Sequence, residues 1–129
     1  MTKILLIVAA LAISPEESAK HKQWMDDAQD LKEDVRDAIE ANAPERATKP
    51  TDKLAGICQQ EVTFWTKAEL PDVRQLAEQN LAAAQQMGAA AKNGNLAQTK
   101  AAFHRLEESC KACHDLHPEK RLNGKEPAR

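Results

Sequence analysis

Two of the three cysteines in this chain lie three residues apart, and a histidine follows the second directly, in CKACH at residues 110–114. Such residues serve three kinds of chemistry: a structural zinc site, a redox-active disulfide, or covalent attachment of haem. Zinc would need four ligands, and Cys110, Cys113, His114 and His117 are the available set. Successive side chains of a helix point about 100° apart, so these four cannot form a tetrahedron without unwinding the helix.

The spacing fits haem attachment better than a disulfide. A thioredoxin-like motif belongs beside a β-α-β pattern, which this sequence lacks. Cys-x-x-Cys-His is the attachment signature of c-type haem. Positions i and i+3 lie one turn apart on one helix face, so the thiols of Cys110 and Cys113 can both add to the vinyl groups along one porphyrin edge. His114 then reaches the iron from one side as the proximal ligand. The motif predicts one covalently bound haem c.

The composition is that of one ordinary globular domain. The chain has 129 residues, 29% of them charged, with a net charge of −2. This charge gives no reason to expect nucleic acid or an anionic membrane surface as a partner. Aromatic residues make up only 3%. A bundle core poor in aromatics can be completed by a flat apolar porphyrin.

The first residues have the form of a secretory signal peptide. A single lysine near the start is followed by ten apolar residues at positions 4–13. This run is shorter than the ~20 residues that a membrane-spanning helix needs. Ala10-Leu11-Ala12 and Ala12-Ile13-Ser14 both offer a cleavage pattern. We expect residues 1–14 to be a signal, and no membrane span once it is removed. The alternative is a buried N-terminal segment of the domain.

Residues 15–121 show the apolar spacing of four helices and no alternation typical of strands. Ser14 and Pro15 form a helix start, and Asn42-Ala43-Pro44 ends that first helix. The second helix is expected after Pro50 and ends at Leu70. The third runs from Pro71 to Asn93-Gly94, and the fourth from Leu96 to Pro118 or a few residues later. Short connections predict an all-α fold, an antiparallel up-down-up-down four-helix bundle with haem near the C-terminal helix. Residues 122–129 read as a flexible tail.

Four helices with "AAFHRLEESCKACH" in the last one resemble the class II cytochromes c, which include cytochrome c prime and its low-spin relatives. The resemblance covers roughly residues 16–121. It depends mostly on architecture, and its specific part is CKACH. It implies an exported, periplasmic monohaem cytochrome that carries single electrons between redox partner proteins. Relatives often pair through their first helices, so a homodimer is a further possibility. No catalytic constellation is visible, so we expect no enzyme.

The resemblance also implies that the first helix controls the other face of the iron. Low-spin members place a methionine there, and Met25 is the matching residue in "HKQWMDDAQDL". Helices 1 and 4 should run antiparallel, and at 1.5 Å per residue Met25 and His114 come within about one or two turns of the same level. Met25 is therefore the predicted distal ligand. Two alternatives stay open: His21 as a second histidine ligand, and an open site in a five-coordinate protein that binds nitric oxide or carbon monoxide.

Three further residues of the second helix carry expectations. Cys58 lies on the apolar stripe and is expected to be a small buried side chain. Phe64 and Trp65 are adjacent, so one of them is expected to lean towards solvent or a neighbouring chain.

Overall fold

The computed structural model describes residues 13–122, and the structural statements below concern that part of the chain. The predicted signal peptide up to residue 12 and the tail beyond Leu122 lie outside it. The elements are α1 (Pro15–Glu40), a 3-10 helix (Pro44–Ala47), α2 (Thr48–Lys67), α3 (Pro71–Lys92), α4 (Leu96–Asp115) and α5 (Pro118–Leu122). Between residues 13 and 122 there is no strand. Helices α1–α4 pack as a bundle, so the predicted fold class is confirmed. No helix in this part of the chain combines the length and apolar character needed to cross a membrane.

The start of α1 agrees with its sequence signals. The Ser14 hydroxyl accepts a hydrogen bond from the Glu17 backbone N–H at 3.1 Å. The Glu17 carboxylate accepts one in return from the Ser14 backbone N–H at 3.0 Å. This reciprocal capping box satisfies two backbone donors that the first turn would otherwise leave free. Pro15 occupies the first helical position, where its lack of an N–H costs nothing.

Three predicted helix boundaries are wrong, one of them the end of the second helix, which lies at Lys67 and not at Leu70. The second helix starts at Thr48 and not after Pro50. Pro50 lies inside the first turn, where backbone N–H groups have no partner within the helix, so proline is tolerated. The fourth helix ends at Asp115, before Pro118, because His117 adopts a left-handed conformation with φ of 51°. Pro118 then begins the separate short helix α5.

The third helix begins and ends where the sequence predicts. It starts at Pro71, and Gly94 just beyond its C-cap has φ of 69°. Glycine adopts such positive φ values without steric cost, and the turn reverses the chain into α4. Helix α3 packs extensively against both α2 and α4.

Helices α1 and α4 have few contacts with each other. They are joined on one side of the bundle by an ion pair between Arg36 Nη2 and Glu107 Oε2 at 2.6 Å. The Arg36 guanidinium also lies over the Phe103 ring, 5.3 Å from its centroid. Beyond this ion pair, towards the C-terminal end of α4, helices α1 and α4 leave space between them.

Candidate haem site

The end of α4 carries the CKACH motif with both cysteines turned inwards. Cys110 and Cys113 are half-buried, one turn apart. Cys110 packs against the larger core cluster, which includes Leu106. Cys113 packs against the second cluster, which includes Phe64 and Trp65. The next residue, His114, is exposed and lies at the penultimate position of the helix.

Both thiols lie in apolar surroundings. Burial and, to a smaller extent, the nearby Glu61 charge raise the pKa of Cys113 to about 12. Burial likewise raises the pKa of Cys110 above its ordinary value. As thiols, both groups are therefore neutral at pH 7, which suits side chains that face an apolar prosthetic group.

A cavity of about 300 Å³ opens between α1, α2 and the α4–α5 corner. Its walls bring together residues far apart in sequence: His21, Met25, Glu61, Trp65, Cys113, His114, His117, Pro118, Glu119 and Lys120. Larger grooves run elsewhere on the surface, such as one of about 450 Å³ between α3 and α4. That groove is lined mainly by Ala and Gln and has no Cys, His or Met. The cavity thus brings Cys113 and His114 together with Met25 and His21, whereas the Cys110 thiol lies outside its lining, 4.0 Å from Asn80 Oδ1 of α3.

The ion pair between α1 and α4 gives a common reference level for these two helices. From Arg36 back to Met25 is about 16 Å along α1, and from Glu107 on to His114 is about 10 Å along α4. Met25 therefore lies within about one turn of the level of His114. His21 is about 22 Å from the tie, some two turns farther than His114. Met25 is thus closer than His21 to the level of His114, and both side chains line the cavity.

The surroundings of His21 point the same way. Its side chain is 6% exposed and stacks on Phe64 with ring centroids 4.8 Å apart. Its Nε2 is 3.1 Å from Glu61 Oε2, and its Nδ1 is 3.9 Å from Glu119 Oε2. Both ring nitrogens thus already face carboxylate oxygens. The ring is part of an aromatic wall that also contains Trp65, whose ring centroid lies 5.1 Å away.

Helix α5 closes one side of the cavity. Arg121 Nη1 donates to Asp72 Oδ2 at 2.7 Å, and the Arg121 side chain is only 6% exposed. This hydrogen bond holds the pKa of the Asp72 carboxyl below its usual range. Asp72 is in the first turn of α3, where a negative charge also complements the helix dipole. The contact keeps Pro118 of α5 against the cavity.

The competing uses of the cysteines gain no support. All three cysteines are free, with Cys58 buried as predicted. Burial raises the pKa of Cys58 to about 12, so its thiol is protonated and unreactive at neutral pH. Within residues 13–122, no three His, Cys, Asp or Glu side chains are arranged to share a metal ion. The arrangement thus suits haem attachment better than a tetrahedral zinc site.

Residues 59–117 match the family model described as cytochrome c′. The match confirms the resemblance to the class II cytochromes c. It runs from the middle of α2 to the end of the CKACH segment and does not include α1. No curated protein and no solved structure matches the chain. Cytochromes c′ bind c-type haem covalently, so the match supports a monohaem c-type cytochrome with haem c as its cofactor.

The described residues fit this cofactor. Two half-buried thiols lie one turn apart beside a histidine, and that histidine lines a cavity together with His21 and Met25 of α1. Cytochromes c of this family are generally electron carriers or ligand binders.

Two features of the site were missed from the sequence. Glu61 lies on a buried wall, although its spacing could have revealed it: Leu54, Cys58, Glu61 and Trp65 follow the four-three-four rhythm of a buried helix face. The expectation that Phe64 or Trp65 leans towards solvent is wrong, since both are buried. The Trp65 indole N–H donates to Glu61 Oε1 at 3.0 Å, so the buried glutamate gives the indole its partner.

Proposed function

We propose that this cytochrome carries single electrons, with His114 and Met25 as the axial ligands of its iron. Cys110 and Cys113 hold the haem by thioether bonds. When bound, the haem supplies a one-electron redox couple. The protein residues hold both axial positions, so neither oxidation state needs an external ligand. A methionine opposite the histidine raises the potential relative to a second histidine.

One observation carries this proposal: the Arg36–Glu107 tie brings Met25 to within about one turn of the level of His114. Met25 and His114 also line the same cavity. The aromatic wall of His21, Phe64 and Trp65 gives that cavity an ordered side. Aromatic pairs at these separations contribute about 0.5–1.5 kcal/mol beyond their burial, which favours a rigid site.

The visible spectrum of the exported protein in both oxidation states tests this assignment. Low-spin spectra, with the weak long-wavelength band of methionine ligation in the oxidised form, are expected. High-spin spectra and stoichiometric binding of carbon monoxide would instead identify a five-coordinate protein for nitric oxide or carbon monoxide. Low-spin spectra without the methionine band would point to His21.

We also propose that the protein works in the periplasm, after removal of a signal peptide. The capping box supports one of the two cleavage positions, because cutting after Ser14 would remove the cap of α1. Loss of such a cap costs about 1 kcal/mol. Ile13 packs against the second core cluster, which also favours its retention. N-terminal sequencing of the exported protein is expected to begin at Ile13; a start at Pro15 would contradict this prediction.

A further inference from the structure

A buried carboxylate on the cavity wall has no directed hydrogen bond at one of its oxygens. Glu61 is 7% exposed and lines the cavity together with Met25 and His114. Its Oε1 accepts the hydrogen bond from Trp65. Its Oε2 lies 3.1 Å from His21 Nε2 but has no hydrogen-bond partner, so this buried oxygen is unsatisfied. A carboxylate is costly to bury unless its charge has a partner.

We propose that the buried Glu61 carboxylate, which lies beside the His21 ring, lowers the reduction potential of the haem. The proposal rests on the proposed function, since it requires a haem in this cavity. Oxidation adds one positive charge to the iron site, and a negative charge on the cavity wall stabilises that state over the reduced one. The Trp65 indole N–H donates to Glu61 Oε1, which suits an acceptor-only carboxylate.

The expected effect is large because the group is buried. A unit charge about 10 Å from the iron, at an effective dielectric constant of about 20, changes the balance between oxidised and reduced forms by about tenfold. For a one-electron couple a tenfold change corresponds to about 59 mV. An exposed charge at a similar distance has a much smaller effect, because water and salt screen it.

The chain contains a matched exposed pair for comparison. His104 Nε2 and Glu108 Oε2 on α4 are also 3.1 Å apart, but their side chains are 72% and 68% exposed. This pair has the same chemistry and the same separation, and Glu108 is six residues before His114. Comparing substitutions in the two pairs therefore shows what burial on the cavity wall adds to the effect of a charge.

The test is a redox titration of the full-length, exported haem protein and three variants. Glu61→Gln removes the charge but keeps an oxygen for the Trp65 indole. It is expected to shift the equilibrium about tenfold towards the reduced form, which corresponds to a rise of about 59 mV in the reduction potential. Glu61→Asp keeps the charge and is expected to stay closer to the wild-type potential than to that of Glu61→Gln. Glu108→Gln is expected to change the potential little. If the reduction potential of haem-loaded Glu61→Gln shifts no more than that of Glu108→Gln, the proposal is overturned.

His21→Gln separates charge from packing. It leaves the Glu61 carboxylate in place without its imidazole neighbour, so the potential is expected to fall or stay constant. A rise of about 59 mV in His21→Gln would mean that loosening the wall raises the potential, and it would overturn the proposal even if Glu61→Gln does not fold. Covalent haem in each sample is checked by mass. Its absence from the wild-type protein would refute the proposed function, a result distinct from a haem-loaded variant with an unchanged potential.

Discussion

Substitution of Met25 by leucine or alanine is expected to convert the low-spin spectrum of the cytochrome into a high-spin one. Neither replacement has a thioether sulfur, so the iron loses its distal ligand. Leucine nearly conserves the volume of methionine, so its cost in stability should stay below about 1.5 kcal/mol. The reduced variant is expected to bind one carbon monoxide per haem, where the wild-type protein binds none. Its potential is expected to fall, because methionine ligation raises it.

Met87 provides the control for this experiment. It lies on α3 and is fully buried in the core, away from the cavity lining. Met87→Leu tests whether any methionine loss in the bundle perturbs the haem, and its spectrum is expected to match that of the wild type. An unchanged spectrum in Met25→Leu would remove Met25 from the iron site. Loss of the low-spin spectrum in His21→Gln instead would assign the ligand to His21.

Replacement of both Cys110 and Cys113 by alanine is expected to abolish covalent haem. The thioether bonds are the only proposed covalent links between chain and porphyrin, so haem stain should disappear from the band on a denaturing gel. The variant is also expected to lose thermal stability, because an unfilled cavity forfeits the packing contacts of its walls. Each single variant is expected to retain one thioether and a weaker stain.

Cys58→Ala is the matched control for the cysteine experiment. Cys58 is buried and packs in the same core cluster as Cys110, but it lies on α2 outside the motif. Covalent haem should persist in this variant. Alkylation of the denatured wild-type protein should modify one thiol, that of Cys58. Three reactive thiols in the denatured wild-type protein, or haem loss in Cys58→Ala, would contradict the assignment of the cysteines.

Much of the bundle could be predicted because the signals are local. The capping residues of α1 and the Pro71 and Gly94 boundaries of α3 depend on backbone chemistry within one or two turns. The helix boundaries that were predicted wrongly depend on more than these local signals. The sequence places the start of the second helix after Pro50, although proline is accepted throughout the first turn. The end of α4 depends on the left-handed His117, a conformation that histidine adopts only occasionally.

The residues of the site also divide into those with a local sequence signal and those that depend on distant contacts. The cysteines and His114 follow from spacing within one helix. The register of α1 against α4 depends on Arg36 and Glu107, 71 residues apart in the chain, and no local pattern indicates that pair. Glu61 was overlooked because a charged residue is normally read as exposed. Its burial follows from two partners on separate helices, Trp65 on α2 and His21 on α1.

The intact mass of the protein, purified after native export and denatured before analysis, tests the central claim most directly. The account predicts the mass of the processed polypeptide plus one haem, retained under conditions that strip every non-covalent ligand. A mass equal to that of the polypeptide alone would contradict it.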